Sequence, residues 1–229
     1  MKHLVVLTGA GISAESGIST FRGNNGLWEN YDVRQVAYID SWYTNKALML
    51  DFYNRRRRQL QQVKPNEAHL ILAELERDFK VSIITQNVDN LHEIAGSSTV
   101  IHLHGELTKA CNESKTEVID IGFNDITLGD KASDGSQLRP FIVWFGEAVP
   151  LMETAERVVR SADILLVVGT SLQVYPAAGL INYTAKPIYV IDPEPLHINH
   201  NGVTLIREKA SKGMELFKAF LVKGKPLST

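Results

Sequence analysis

Leu4-Val5-Val6-Leu7-Thr8-Gly9-Ala10-Gly11-Ile12-Ser13-Ala14 decides the fold. Residues 4–7 are continuously apolar, as in a strand covered on both faces. Gly9-Ala10-Gly11-Ile12-Ser13-Ala14 follows at once and fits G-x-G-x-x-G/A, with Ala14 in the third small position. Glycines there let the backbone turn sharply and approach a pyrophosphate, while the next helix N-terminus aims its amides at the anion. The acid expected about 20 residues on, at the tip of a second strand, is missing. The chain runs instead into Gly17-Ile18-Ser19-Thr20-Phe21-Arg22-Gly23 and Gly26-Leu27-Trp28, which is unlike a hydride-transferring dehydrogenase.

Outward from this loop, further apolar, β-branched runs predict strands at 81–85, 99–103, 141–145, 163–168, 187–191 and 203–206. Helices are predicted at 45–62, from Pro65-Asn66-Glu67 onward, at 151–161 and at 212–221. Alternation of the two indicates an α/β fold, a Rossmann-like doubly wound parallel sheet. Two inserts interrupt it. Residues 20–65 are aromatic, charged and helical in pattern, and residues 112–139 are polar with Gly122, Gly129 and Gly135, as in hairpins or loop. We expect one domain over 1–229 with these two stretches as a small lobe.

Bulk properties exclude more than they assign. Of the 229 residues 44% are apolar and 22% charged, and the formal net charge is −2, so nothing asks for nucleic acid or an anionic membrane. No apolar run reaches the roughly 20 residues of a membrane span, and the opening Met-Lys-His-Leu-Val-Val-Leu lacks a cleavage-site pattern, which reads as a cytoplasmic protein. The single cysteine, Cys111, excludes an internal disulfide and a four-cysteine zinc site. It reads as a half-buried thiol.

The polar residues at strand exits carry the chemistry. Gln86, Asn87 and Asp89 follow the strand at 81–85, at the end of the sheet where open α/β folds bind ligands. Asn87 or Asp89 could alternatively cap the next helix. His104 leaves the strand at 99–103 and is placed to act as a base. His102 points the same way two residues earlier, but no third metal ligand is apparent. His69 and His92 are expected to pack or cap. In Phe52-Tyr53-Asn54-Arg55-Arg56-Arg57-Arg58, three arginines (55, 57 and 58) read as a solvated basic face, whereas Tyr53 and Arg56 share a helix face beside Leu48 and Phe52. That pairs a phenol with a guanidinium, a carboxylate-gripping combination.

Taken in chain order, Gly9-Ala10-Gly11-Ile12-Ser13 with Gly17-Ile18 and Phe21-Arg22, Gln86-Asn87-Val88-Asp89, His102-Leu103-His104-Gly105, Phe145-Gly146-Glu147 and Gly169-Thr170-Ser171-Leu172 resemble the motifs of the sirtuins. The resemblance covers nearly the whole chain and implies an NAD-dependent protein lysine deacylase that consumes NAD as co-substrate. By that resemblance His104 is the base, Asp89 holds the nicotinamide carboxamide, Asn87 orients the ribose and a water, and Gln86 contacts the ribose. Gly9, Ala10, Gly11, Ser13, Phe21, Arg22, Trp28, Gly169, Thr170, Ser171, Asp192 and Ala210 would complete the NAD site. Val143, Phe145, Gly146 and Glu147 would supply backbone to pair with an acyl-lysine peptide. Tyr53-x-x-Arg56 resembles the signature of the class III, desuccinylase-type members, implying succinyl-, malonyl- or glutaryl-lysine as substrate, with some deacetylase activity.

Two departures stand out. Most sirtuins carry two Cys-x-x-Cys pairs after the catalytic histidine, and here Cys111 has no partner, so neither a zinc ribbon nor zinc is expected. Asp192 stands where the family often has asparagine. Its carboxylate suits ribose hydroxyls and opposes the extra phosphate of NADP. The competing readings are an NAD-dependent protein ADP-ribosyltransferase and a non-catalytic NAD sensor. We expect a monomer with acyl-lysine proteins or peptides as partners.

Overall fold

The computed structural model describes residues 1–20, 32–195, 198, 200, 202–224, 226 and 227. Its centre is β1 (His3–Thr8), buried along its whole length. Parallel neighbours are β2 (Lys80–Thr85) on one side and β7 (Ile164–Val168) on the other, with Leu4 opposite both Val81 and Ile164. Adding β3 (Val100–His102), β8 (Ile188–Ile191) and β9 (Val203–Ile206) gives six strands in the order β3-β2-β1-β7-β8-β9, all parallel. This is the doubly wound, Rossmann-like arrangement the alternation predicts.

The unbroken apolar runs follow from burial on both faces. Leu4, Val6, Ile83, Leu166 and Val168 meet Ala68, Ile71 and Leu72 of α5 (Glu67–Glu74), and Met214 and Phe217 of α8 (Ala210–Lys223). Val5, Leu7, Ile84, Leu165 and Val167 point the other way, to Ala155 and Val159 of α7 (Met152–Arg160). Helix α5 begins where Pro65-Asn66-Glu67 predicts. The Asn66 side chain accepts from the Ala68 amide at 3.0 Å, and His69 Nδ1 accepts from the Asn66 amide at 3.3 Å. His69 therefore both packs and caps.

The second lobe holds the main correction. The run at 141–145 does not join the parallel sheet. β6 (Arg139–Ile142) instead lies antiparallel to β4 (Gly105–Cys111), itself paired with β5 (Val118–Asp120). Gly105 adopts φ +85° directly after His104, which turns the chain out of the main sheet into a strand the apolar pattern did not announce. Helices α2 (Val33–Val36), α3 (Ile39–Thr44) and α4 (Lys46–Leu60) cover this small sheet. Trp42, Met49, Phe52, Leu107, Ile126, Ile142 and Trp144 share its core.

Side-chain hydrogen bonds tie the 112–139 insert together. Asn112 donates to Thr116 and to Asp134 (3.0 and 2.9 Å) and accepts from the Glu117 amide. Asn54 of α4 pairs with both backbone groups of Ile126, at 2.9 and 3.0 Å. Arg57 corrects another expectation. It is not solvated but fully buried, donating to the Leu107 carbonyl at 2.5 Å and to Asn54 Oδ1 at 2.7 Å. Three residues from Asn54, it shares that inward face. Cys111 is likewise fully rather than half buried, 3.9 Å from the Pro140 carbonyl, and burial pushes its thiol up to about 11. Among the described residues no helix is long and apolar enough to cross a membrane.

Candidate active site

Strand order reverses beside β1, between β1 and β7, the point at which open α/β sheets take their ligands. A cleft of about 1120 Å³ opens there at the carboxyl ends of the strands and extends to the small lobe.

The glycine loop forms one wall by touching another loop. The Gly9 amide donates to the Val168 carbonyl at 3.0 Å and the Gly11 amide to the Gly169 carbonyl at 2.8 Å. A Cβ on Gly9 would stand 2.6 Å from Thr170 Cβ, and one on Gly11 would stand 2.6 Å from Gly169 Cα. These glycines thus close two loops backbone to backbone, and their amides serve that contact. The expected helix is a single turn, α1 (Ala10–Ser13), continuing as the 3-10 turn Ala14–Ser16. Gln86 Nε2 reaches across to Thr170 Oγ1 at 3.1 Å, linking the exits of β2 and β7.

Beneath lies a polar floor. Buried Asn87 donates its amide to Thr85 Oγ1 (3.0 Å) and its side-chain Nδ2 to the Gly9 carbonyl and to Ser13 Oγ (both 3.1 Å). Ser13 donates to Asp89 Oδ2 at 3.0 Å, while Asp89 Oδ1 accepts from the Leu91 amide at 3.2 Å at the start of α6 (Leu91–Ala95). Asp89 thus takes up the first amide of a helix whose N-cap residue is Asn90. Burial raises its pKa against those two bonds. Asn87 faces the cleft, whereas Ser13 and Asp89 stand behind its wall. Thr8 links Thr85 to buried His92, at 2.8 and 3.1 Å, and the His92 ring lies 4.9 Å from that of His69.

The histidines at 102 and 104 separate cleanly. His102 is buried and spends both nitrogens, on the Asn87 carbonyl (3.1 Å) and on Glu93 (2.7 Å). It steadies the floor from below. His104 lines the cleft, and its Nδ1 sits 3.1 Å from the Gln86 carbonyl. A carbonyl only accepts, so Nδ1 carries the proton and Nε2 of the neutral ring is the basic nitrogen. Burial lowers the His104 pKa despite that bond, which keeps the ring neutral at pH 7.

At the lobe end Tyr53 and Arg56 line the same cleft. The buried Tyr53 hydroxyl donates to the Val36 carbonyl at 3.0 Å and accepts from Trp144 Nε1 at 2.8 Å. Burial pushes the phenol up to about 12, so it stays protonated. The Arg56 guanidinium lies 5.7 Å from the centre of the Phe52 ring. Burial lowers its pKa, and Tyr53 and Asp89 oppose that shift.

Val143, Phe145, Gly146 and Glu147 also line the cleft, but much of their hydrogen bonding is internal. The Val143 amide donates to the His104 carbonyl (2.9 Å), that of Phe145 to Ala37 (2.8 Å) and that of Trp144 to Glu147 Oε2 (2.8 Å). The Glu147 carboxylate takes a two-pronged bond from Arg139 (2.9 and 3.0 Å) and lies 2.9 Å from Lys115. The Phe145 carbonyl in turn accepts from the Ile39 amide (3.1 Å), and that of Trp144 from the Glu147 amide (3.0 Å). At the opposite end Ala10, Ser171, Asp192 and Ala210 line the cleft. Burial raises the Asp192 pKa, its carboxylate capping the turn at Glu194. Phe21, Arg22 and Trp28 lie outside the described residues. Sequence reasoning missed Trp144, although a buried tryptophan needs a partner for its N–H, and it missed Glu15, which lines the cleft and accepts from the Ser211 amide. Among the described residues no cluster of three or more His, Cys, Asp or Glu side chains could hold a metal ion.

A doubly wound sheet with a dinucleotide-sized cleft at its switch point, a polar floor and a neutral histidine base defines an enzyme class that works on a bound dinucleotide. Residues 9–176 match the Sir2 family. A Bacteroides thetaiotaomicron protein described as an NAD-dependent protein deacylase is 54% identical, covering 97% of this chain and 99% of its own. The crystal structure of a Sir2 homologue–NAD complex superposes with a TM-score of 0.87 at 39% identity, covering 99% of this chain and 91% of that one. A Sir2 variant holding a deacetylated p53 peptide and 3'-O-acetyl ADP-ribose superposes at 0.80 and 32% identity, covering 97% and 94%. The chain belongs to the Sir2 family, the sirtuins: it is an NAD-dependent protein deacylase with NAD as co-substrate.

Proposed function

We propose that this deacylase favours lysines carrying succinyl, malonyl or glutaryl groups, retains some deacetylase activity, and releases nicotinamide, O-acyl-ADP-ribose and free lysine. The observation that carries the acyl preference is the position of Tyr53 and Arg56 in one cleft with His104 and Asn87. A guanidinium held at the edge of an apolar core grips a carboxylate in two-pronged fashion. Phe52 gives that guanidinium an aromatic seat.

Gly9 and Gly11 would keep the backbone close to the dinucleotide, and Ala10, Thr170 and Ser171 would receive the phosphates and ribose, with Phe21, Arg22 and Trp28 contributing from outside the described residues. Asp192 and Ala210 would receive the adenosine end. The acyl oxygen would attack the anomeric carbon of the nicotinamide ribose, and nicotinamide would leave over Asn87, which Ser13 and Asp89 hold from behind the cleft wall. His104 Nε2 would then take a proton from a ribose hydroxyl, which attacks the imidate. The peptide would lie along Val143, Phe145, Gly146 and Glu147.

A panel of acetyl-, malonyl-, succinyl- and glutaryl-lysine peptides, scored for nicotinamide release, tests this reading. The expected outcome is an acidic preference that Arg56→Met abolishes. Equal turnover of all four groups by the unaltered enzyme would refute it.

A further inference from the structure

The indole of Trp144 is gripped from several sides. The Arg139 guanidinium lies 3.6 Å from its ring centre, the Trp42 ring lies 5.5 Å away, and its own amide is bonded to Glu147. Arg139 is in turn clasped by Glu147, which also meets Lys115 of the insert. Trp144 Nε1 is therefore a fixed donor, and it is aimed at the oxygen of Tyr53 at 2.8 Å.

From this we propose that Trp144 is a positioning residue for acyl-group selection, acting through the Tyr53 hydroxyl; this rests on the acidic-acyl reading above. A phenol whose oxygen receives an N–H still has its own hydrogen to donate. Toward a ligand it then acts as a donor, the role a carboxylate demands. In the structure that hydrogen rests on the Val36 carbonyl. A carboxylate arriving at Arg56 competes for it by a turn about the phenol C–O bond, with the oxygen held in place by the indole. An acetyl group offers no such partner, so the effect of the indole should appear as discrimination between acyl groups. Through Arg139, Glu147 and Lys115 the same contact ties the insert to the acyl pocket.

The test is the ratio of kcat/KM for succinyl- to acetyl-lysine peptide in Trp144→Phe, Tyr53→Phe and the double variant, with Arg56→Met alongside. Trp144→Phe should lower the ratio by roughly three- to tenfold, mainly through KM for the succinyl peptide. In the Tyr53→Phe background it should lower it no further. Loss of both activities in proportion, or an equal fall with and without the Tyr53 hydroxyl, would overturn the inference. So would a ratio unchanged by Trp144→Phe while Arg56→Met abolishes it, an outcome that leaves the acyl reading standing. An unaltered enzyme with no acidic preference would remove both.

Discussion

The two ends of the cleft are shaped by opposite means. At the dinucleotide end the geometry comes from missing side chains: Gly9, Gly11 and Gly169 let two loops meet backbone to backbone. At the proposed acyl end it comes from large polar side chains taken out of water, Asn54, Arg57, Arg139 and Trp144, each bonded to other groups of the small lobe. The first design is local and tolerates no added atom. The second is a web in which one substitution leaves several partners short of a bond.

The sharpest way to break this contrast is Gly169→Ala. Gly169 adopts φ +63°, and a Cβ there would stand 2.3 Å from the Ile12 amide nitrogen. We expect a stability loss of about 3 kcal/mol or more, with loss of the NAD-induced rise in Tm. Unchanged unfolding and NAD response would mean the loops need not touch.

Acid should distinguish the two ends as well. Burial holds His69 down at about 4 and keeps His92 well below its ordinary value, and His92 is bonded to Thr8 at the end of β1. A histidine with a lowered folded pKa contributes stability that is full above its unfolded pKa and is lost as pH falls through the folded one. For His69 that window runs from 6.5 down to about 4 and is worth about 3 kcal/mol. Denaturant unfolding at pH 7 and pH 5 should show a loss that His92→Gln reduces. An identical loss in that variant would assign the acid sensitivity elsewhere.

In the lobe, Arg57→Met strips donors from the Leu107 carbonyl and from Asn54, and we expect a loss of about 2 kcal/mol. Deacylation should suffer more than NAD binding if the web supports the proposed acyl end. Equal damage to both would show that the ends are not built separately.

Legibility in the sequence followed the same division. β1, its glycine loop and the exits carrying Asn87 and His104 were readable because each is a short run with a local rule, either apolar continuity or glycine spacing. The helix bearing Tyr53 and Arg56 was readable from its length and freedom from glycine and proline. Strand β4 was not, because Gly-Glu-Leu-Thr-Lys-Ala-Cys mixes polar residues into a largely buried strand. The burial of Arg57 and the bond from Trp144 to Tyr53 depend on residues 50 and 91 positions away, which no local pattern encodes.

The most direct measurement is kcat/KM for succinyl- and acetyl-lysine peptides of one sequence, in the unaltered enzyme and in Arg56→Met. The expected result is a preference for the succinyl peptide that falls by about thirtyfold or more in the variant. A succinyl preference that survives the loss of the guanidinium would contradict the assignment of the acyl pocket.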